Sequence, residues 1–127
     1  MSAEFKTIHV RGFYRHVPYY AERQIAAGET HTEDIMNDPI QGLHVRAKSA
    51  FIEVYDTEAA GVYANVIIFD GTNESMPIPL AAGDAINYLP DDGILFEWVR
   101  FEAVGGWCSY RIHATPGIHE EEETGRR

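Results

Sequence analysis

Apolar residues alternate with polar or aromatic residues along several short segments of the chain. Residues 61–71, GVYANVIIFDG, carry apolar side chains at every second position from Val62 to Ile68, and residues 107–114, WCSYRIHA, alternate in the same way. A period of two indicates a β-strand, because successive side chains of a strand point to opposite faces. Gly and Pro interrupt the chain at intervals that leave little room for an average helix of about 11 residues. The pattern therefore predicts a protein of short strands.

A four-residue pattern, Ala-Ala-Gly-acid, occurs twice. It lies in QIAAGETHTEDI, residues 24–35, and in PLAAGDAINYLP, residues 79–90, so that Gly28 and Gly83 are 55 residues apart (83 − 28). Glycine supplies the positive φ that tight turns need. Both segments are interpreted as chain reversals at equivalent corners of a sandwich, and not as binding sites.

Residues 18–28, PYYAERQIAAG, allow two interpretations. Strand and turn are favoured, but Pro18 also fits the first position of a helix and Gly28 fits a helix stop. A two-turn helix therefore stays open here. Either outcome leaves the fold class unchanged, since no other segment reads convincingly as a helix.

The predicted fold is all-β: a single-domain antiparallel β-sandwich or jelly roll with short loops. The sandwich is expected over residues 1–115. Residues 116–127 are expected to form a disordered acidic tail, because Glu120 to Glu123 repel one another and stay hydrated.

Composition limits the classes of partner. The chain has 127 residues, 45% of them hydrophobic, and a formal net charge of −10, so nucleic acid and anionic membranes are not expected as partners. The lone Cys108 cannot form an intramolecular disulfide. The first residues lack the apolar segment of a signal peptide, which predicts a protein made and used in a cytoplasm or in a particle assembled there.

No catalytic, cofactor or metal residue is predicted. His31 lies between Glu29 and Glu33, but a cupin-type metal site needs a second histidine two positions away, and Glu33 stands there instead. A cupin-like metalloenzyme that uses His31 with Glu29 or Glu33 is kept as the second alternative. Neither a nucleophile elbow nor a phosphate-binding glycine loop occurs.

Aromatic residues predict an interaction surface. Residues 11–23, RGFYRHVPYYAER, mix tyrosine with arginine, a combination enriched at protein interfaces. An edge strand with core tyrosines, or a platform for sugars, would explain the same residues. In residues 93–104 both faces of the predicted strand are apolar, so a neighbouring subunit or loop should cover the outer one. The predicted interface comprises Arg11, Phe13, Tyr14, Arg15, Tyr19, Tyr20, Phe96 and Trp98.

The arrangement of short strands, corners and loops along the whole chain resembles that of the cement or decoration proteins of tailed bacteriophage capsids. The resemblance rests on short strands, the IAAGE and LAAGD corners and the polar loop FDGTNESMPIPL, and it spans residues 5 to 115. It implies a homotrimer located in the virion that bridges subunits of the major capsid protein or another virion protein. A carbohydrate- or receptor-binding module is the first alternative.

Overall fold

The structure, a computed structural model of the chain, describes residues 18–89 and 95–117. Within those ranges it consists of eight strands and no helix, which confirms the all-β prediction. No helix in these ranges is long and apolar enough to span a membrane. The strands are β1 (Tyr19–Ile25), β2 (Thr30–Glu33), β3 (Ala47–Thr57), β4 (Tyr63–Phe69), β5 (Ile78–Ala81), β6 (Asp84–Tyr88), β7 (Trp98–Val104) and β8 (Cys108–Pro116).

The strands form two four-stranded sheets with antiparallel pairing throughout. The first sheet has the order β1-β8-β3-β6 and the second the order β2-β7-β4-β5. Consecutive strands lie in opposite sheets, except for the hairpin of β4 and β5. Eight antiparallel strands connected in this way make a jelly roll. The sandwich or jelly-roll prediction is therefore confirmed.

Residues 19–25 form a strand, and the helical alternative for residues 18–28 is wrong. Seven successive residues pair with β8, from Tyr19 opposite Ala114 to Ile25 opposite Cys108. This pairing with a strand late in the chain outweighs the local helix propensity of the segment.

The core lies between the sheets and follows the predicted alternation. In β4 every second residue is buried, and in β8 the buried positions include the predicted series from Cys108 to Ala114. The fully buried large side chains include Tyr19, Ile35, Ile52, Val54, Val66, Phe96, Val99, Phe101, Tyr110 and Ile112.

The two Ala-Ala-Gly-acid segments are equivalent corners. Gly28 has φ 78° and Gly83 has φ 92°, as the turn interpretation requires. In each corner the acidic side chain accepts a hydrogen bond from the backbone N–H three residues earlier: Glu29 from Ala26 at 2.6 Å and Asp84 from Ala81 at 2.9 Å. One corner crosses from the first sheet to the second, and the other crosses back. Both segments therefore serve to turn the chain between the sheets.

A third Ala-Ala-Gly, at residues 59–61, turns the chain from β3 to β4, and Gly61 there has φ 88°. A fourth turn, at Gly105 and Gly106, joins β7 to β8. Because the strands are antiparallel, all four turns lie at the same end of the sandwich. The described chain enters and leaves at the other end, and residues 1–17 and most of the predicted tail lie outside the described residues.

Candidate functional site

A buried carboxylate, Glu33, joins the edge strands of the two sheets. Its side chain on β2 is 1% exposed. One oxygen accepts a hydrogen bond from the Tyr19 hydroxyl at 2.5 Å, and the other accepts from the Tyr110 hydroxyl at 2.6 Å and from Arg23 Nε at 2.5 Å. His31 Nε2 lies 3.5 Å from this second oxygen. The guanidinium and the two hydroxyls together compensate the buried negative charge.

The buried tyrosine hydroxyls of this cluster both find their acceptor within it, on Glu33. Burial, followed by the hydrogen bond to Glu33, raises the pKa of both Tyr19 and Tyr110 far above the ordinary value of 10. Both phenols therefore stay protonated and act as donors. The Tyr110 ring also stacks on Phe101, with centroids 3.6 Å apart and planes 6° apart. The cluster fixes β1, β2 and β8 to one another.

The two glutamates that could bind a metal together with His31 both accept hydrogen bonds within the chain. Glu29 closes the corner after β1, while Glu33 is engaged by the two tyrosines and Arg23. In residues 18–89 and 95–117, no group of three or more His, Cys, Asp or Glu side chains is placed to hold a metal ion.

A second glutamate cluster lies on the outer face of the first sheet. Glu22 accepts hydrogen bonds from the Tyr20 hydroxyl at 2.7 Å and the Tyr55 hydroxyl at 2.8 Å. These two bonds lower the pKa of Glu22, and they raise the pKa of both tyrosines. The Arg111 guanidinium lies over the Tyr55 ring, 4.3 Å from its centroid. Glu22, Arg111 and Glu53 are in register across β1, β8 and β3.

Beside this charged row lies the aromatic row, formed by Tyr20, His113 and Phe51 in register on the same three strands. Tyr20 is 38% exposed and Phe51 is 40% exposed. The rings of Tyr20 and His113 meet edge to face, with centroids 4.5 Å apart. Tyr20 and Phe51 are thus two of the large apolar side chains that are exposed among the described residues.

The outer face of the second sheet is more apolar. Trp98 stacks on Phe69 with centroids 4.8 Å apart, and Arg100 lies 5.1 Å from the Trp98 ring centroid. Arg100 also pairs with Glu74 at 3.2 Å. The half-buried apolar residues of this surface, here called the apolar face, are Tyr63, Ile67, Phe69, Trp98 and Val104.

The predicted interface residues divide into three groups. Tyr20 and Trp98 lie on outer faces, one on each sheet. Arg11, Phe13, Tyr14 and Arg15 lie outside the described residues. Tyr19 and Phe96 are buried in the core, and their assignment to an interface is corrected here.

Tyr19 and Phe96 point into the core for different physical reasons. Tyr19 and Tyr20 are neighbours in one strand, so that their side chains point to opposite faces. Strict alternation along residues 93–104 would place Phe96 on the same face as Trp98. Phe96 instead exchanges backbone hydrogen bonds with Ala47, in the first sheet, whereas Trp98 pairs with Phe69, in the second. The chain crosses between sheets at this point, which breaks the alternation.

The predicted interface did not include Phe51, Glu53 and Arg111, although alternation places each of them on the outward side of its strand. What no local pattern contains is the register that brings β1, β8 and β3 side by side.

No protein-family model matches this chain, and no curated protein sequence matches it. Among solved structures, the chain is similar to a protein from work described as "Bacillus endospore appendages form a novel family of disulfide-linked pili". The identity is 13%, the TM-score is 0.40, and the match covers 80% of this chain and 89% of that one. A similarity of this size carries no conclusion about function.

Proposed function

We propose that this protein is a structural protein that assembles with copies of itself. The apolar face of the second sheet carries the proposal. It occupies the central strands β7 and β4, where the outward side of an antiparallel sheet facing water should be polar. Trp98, Phe69 and Ile67 lie there instead, and aromatic residues with an adjacent arginine are typical of interface centres.

A second copy of the chain fits this face. The face carries both signs of charge, from Arg100 and Glu102, so that two copies can meet without forcing like charges together. Removing Trp98, Phe69 and Ile67 further from water contributes about 25 cal/mol per Å² of apolar surface. This gain opposes the mutual repulsion of chains that each carry a net charge of −10.

Within this class we propose a cement or decoration protein of a phage-like virion, a homotrimer that bridges subunits of the major capsid protein. The support is the sequence resemblance and the jelly-roll fold, which viral capsid domains use among others. Under this proposal the protein is not an enzyme, and the closed Glu33 cluster has a structural role.

Native mass spectrometry of the full chain tests the assembly. We expect a metal-free trimer for the wild type. Replacement of outward-facing Ile67 by lysine should give a monomer, because a charge would then be buried at the contact. The matched control is Phe51→Lys, which puts the same charge on the opposite sheet and should leave the trimer intact.

Three results would count against the proposal. These are a monomeric wild type at micromolar concentrations, a trimer that survives Ile67→Lys, or one metal ion bound per chain. The last would favour the alternative at His31. Thermal melts of both variants show whether the domain still folds.

A further inference from the structure

The aromatic row presents exposed rings on the sheet opposite the apolar face. Tyr20, His113 and Phe51 lie on three adjacent strands, so that the row extends about 10 Å from the first strand to the third. The face of an aromatic ring carries partial negative charge and attracts the C–H bonds of a pyranose ring. A row of this length suits a disaccharide unit.

The Tyr20 ring is held in place before any ligand arrives. The Tyr20 hydroxyl donates to Glu22, and the Tyr20 and His113 rings meet edge to face. Tyr55 donates to the same carboxylate. A side chain fixed at two points loses little conformational freedom on binding, which lowers the cost of association.

Hydrogen-bonding groups lie directly beside the rings. Arg111 stacks over Tyr55, and its Nε is buried without a hydrogen-bond partner. The Glu53 carboxylate is 3.4 Å from this Nε and does not form a hydrogen bond with it. The Arg111 side chain is 37% exposed although its Nε is buried, so the rest of this side chain faces the solvent beside the rings. Glu53, which is partly exposed, supplies an acceptor.

The charges of this face select among ligands. Glu22 and Glu53 outweigh Arg111, and the whole chain has a net charge of −10. Sugars that carry carboxylate or sulfate groups would be repelled. Neutral sugars present vicinal hydroxyls, which both donate to carboxylates and accept from a guanidinium.

We propose that the outer face of the first sheet binds a neutral oligosaccharide. Tyr20 and Phe51 stack on sugar rings, Arg111 donates hydrogen bonds to ring hydroxyls, and Glu53 accepts from them. This site goes beyond the proposed assembly and does not depend on it, because it lies on the other sheet.

NMR titration of the full chain tests the proposal. The probes are cellohexaose, maltohexaose, mannohexaose and chitohexaose, with hexagalacturonate as the charged control. We expect at least one neutral probe to give saturable shifts that map to the amides of Tyr20, Phe51 and Arg111, and hexagalacturonate to give none.

Variants distinguish binding at this face from nonspecific binding elsewhere on the protein. Phe51→Ala and Arg111→Met should each weaken binding of the neutral probe about tenfold or more, which corresponds to about 1.4 kcal/mol. Met76→Ala, which removes an 81% exposed apolar side chain from the loop between β4 and β5, is the matched control and should bind like the wild type. If Phe51→Ala fails to fold, the shift map of the wild type still decides.

Four results would overturn the proposal: no saturable shift with any neutral probe, shifts that map to another surface, equal binding of hexagalacturonate, or a contact between subunits that covers the aromatic row. The failures are distinguishable. A trimer that binds no neutral probe refutes the site alone, and a monomer that binds refutes the assembly alone.

Discussion

Glu33 and Glu22 have nearly the same partners in opposite surroundings. Each carboxylate accepts hydrogen bonds from two tyrosine hydroxyls and lies near an arginine, and the adjacent residues Tyr19 and Tyr20 serve one cluster each. Glu33 is sealed between the sheets, whereas Glu22 faces water. The surroundings, and not the number of hydrogen bonds, therefore decide whether a polar cluster holds the fold or remains available to a ligand.

Removing the buried carboxylate should have the largest effect. Glu33→Ala leaves the hydroxyls of Tyr19 and Tyr110 buried without an acceptor and Arg23 without its partner, which should lower the free energy of unfolding by about 3–5 kcal/mol. Urea unfolding measures this change. The matched variant on the outer face, Glu22→Ala, should leave the unfolding midpoint nearly unchanged. Equal losses in the two variants would contradict the comparison.

Removing one hydroxyl from each cluster should give a smaller contrast. Tyr110→Phe deletes a hydrogen bond to a buried charge and should lower the free energy of unfolding by about 1.5–3 kcal/mol. Tyr55→Phe deletes the corresponding bond on the surface, where water replaces the hydroxyl. The same urea experiment compares the two, and a larger loss in Tyr55→Phe would reverse our ranking.

Alkaline pH should act most strongly on the buried cluster. Tyr19 and Tyr110 have raised pKa values in the folded chain, so their contribution to stability is complete below about pH 10 and falls as pH rises further, because only the unfolded chain then loses these protons. The loss is about 1.4 kcal/mol per pH unit for each tyrosine. Unfolding measured between pH 9 and 11 should show a shallower decline in Tyr110→Phe than in the wild type. An unchanged slope in this variant would contradict the assignment.

The smallest effect concerns the surface carboxylate. The hydrogen bonds from Tyr20 and Tyr55 place the pKa of Glu22 below the ordinary 4.5. The stability that these bonds contribute is present above pH 4.5. It is lost as the pH falls through the lower pKa that Glu22 has in the folded chain. Carbon-13 NMR of the side-chain carboxyl should show this lowered pKa, and Tyr20→Phe should bring it back toward 4.5. A Glu22 that titrates at 4.5 in the wild type would show that the two bonds do not form in solution.

The strands and corners could be predicted from the sequence because their causes are local. Alternation in residues 61–71 is the direct result of one face being buried, and the positive φ of Gly28 and Gly83 needs no distant partner. The clusters could not be predicted in this way. Glu33 meets Tyr110 only because β8 returns to lie beside β1, and Phe96 turns inward only because the chain changes sheets there.

The position of β8 in the middle of the first sheet affects the order in which the strands assemble during folding. Tyr19 pairs with Ala114, 95 residues later (114 − 19), and β1 and β3 are joined only through β8. Contacts this distant in sequence slow folding, because the intervening chain must be ordered before they form. The four strands of the first sheet therefore come together late, after most of the chain has been synthesised. Tyr20 and Phe51 come into one row only at that final step. A partly synthesised chain therefore has neither the aromatic row nor the charged row of Glu22, Arg111 and Glu53 beside it.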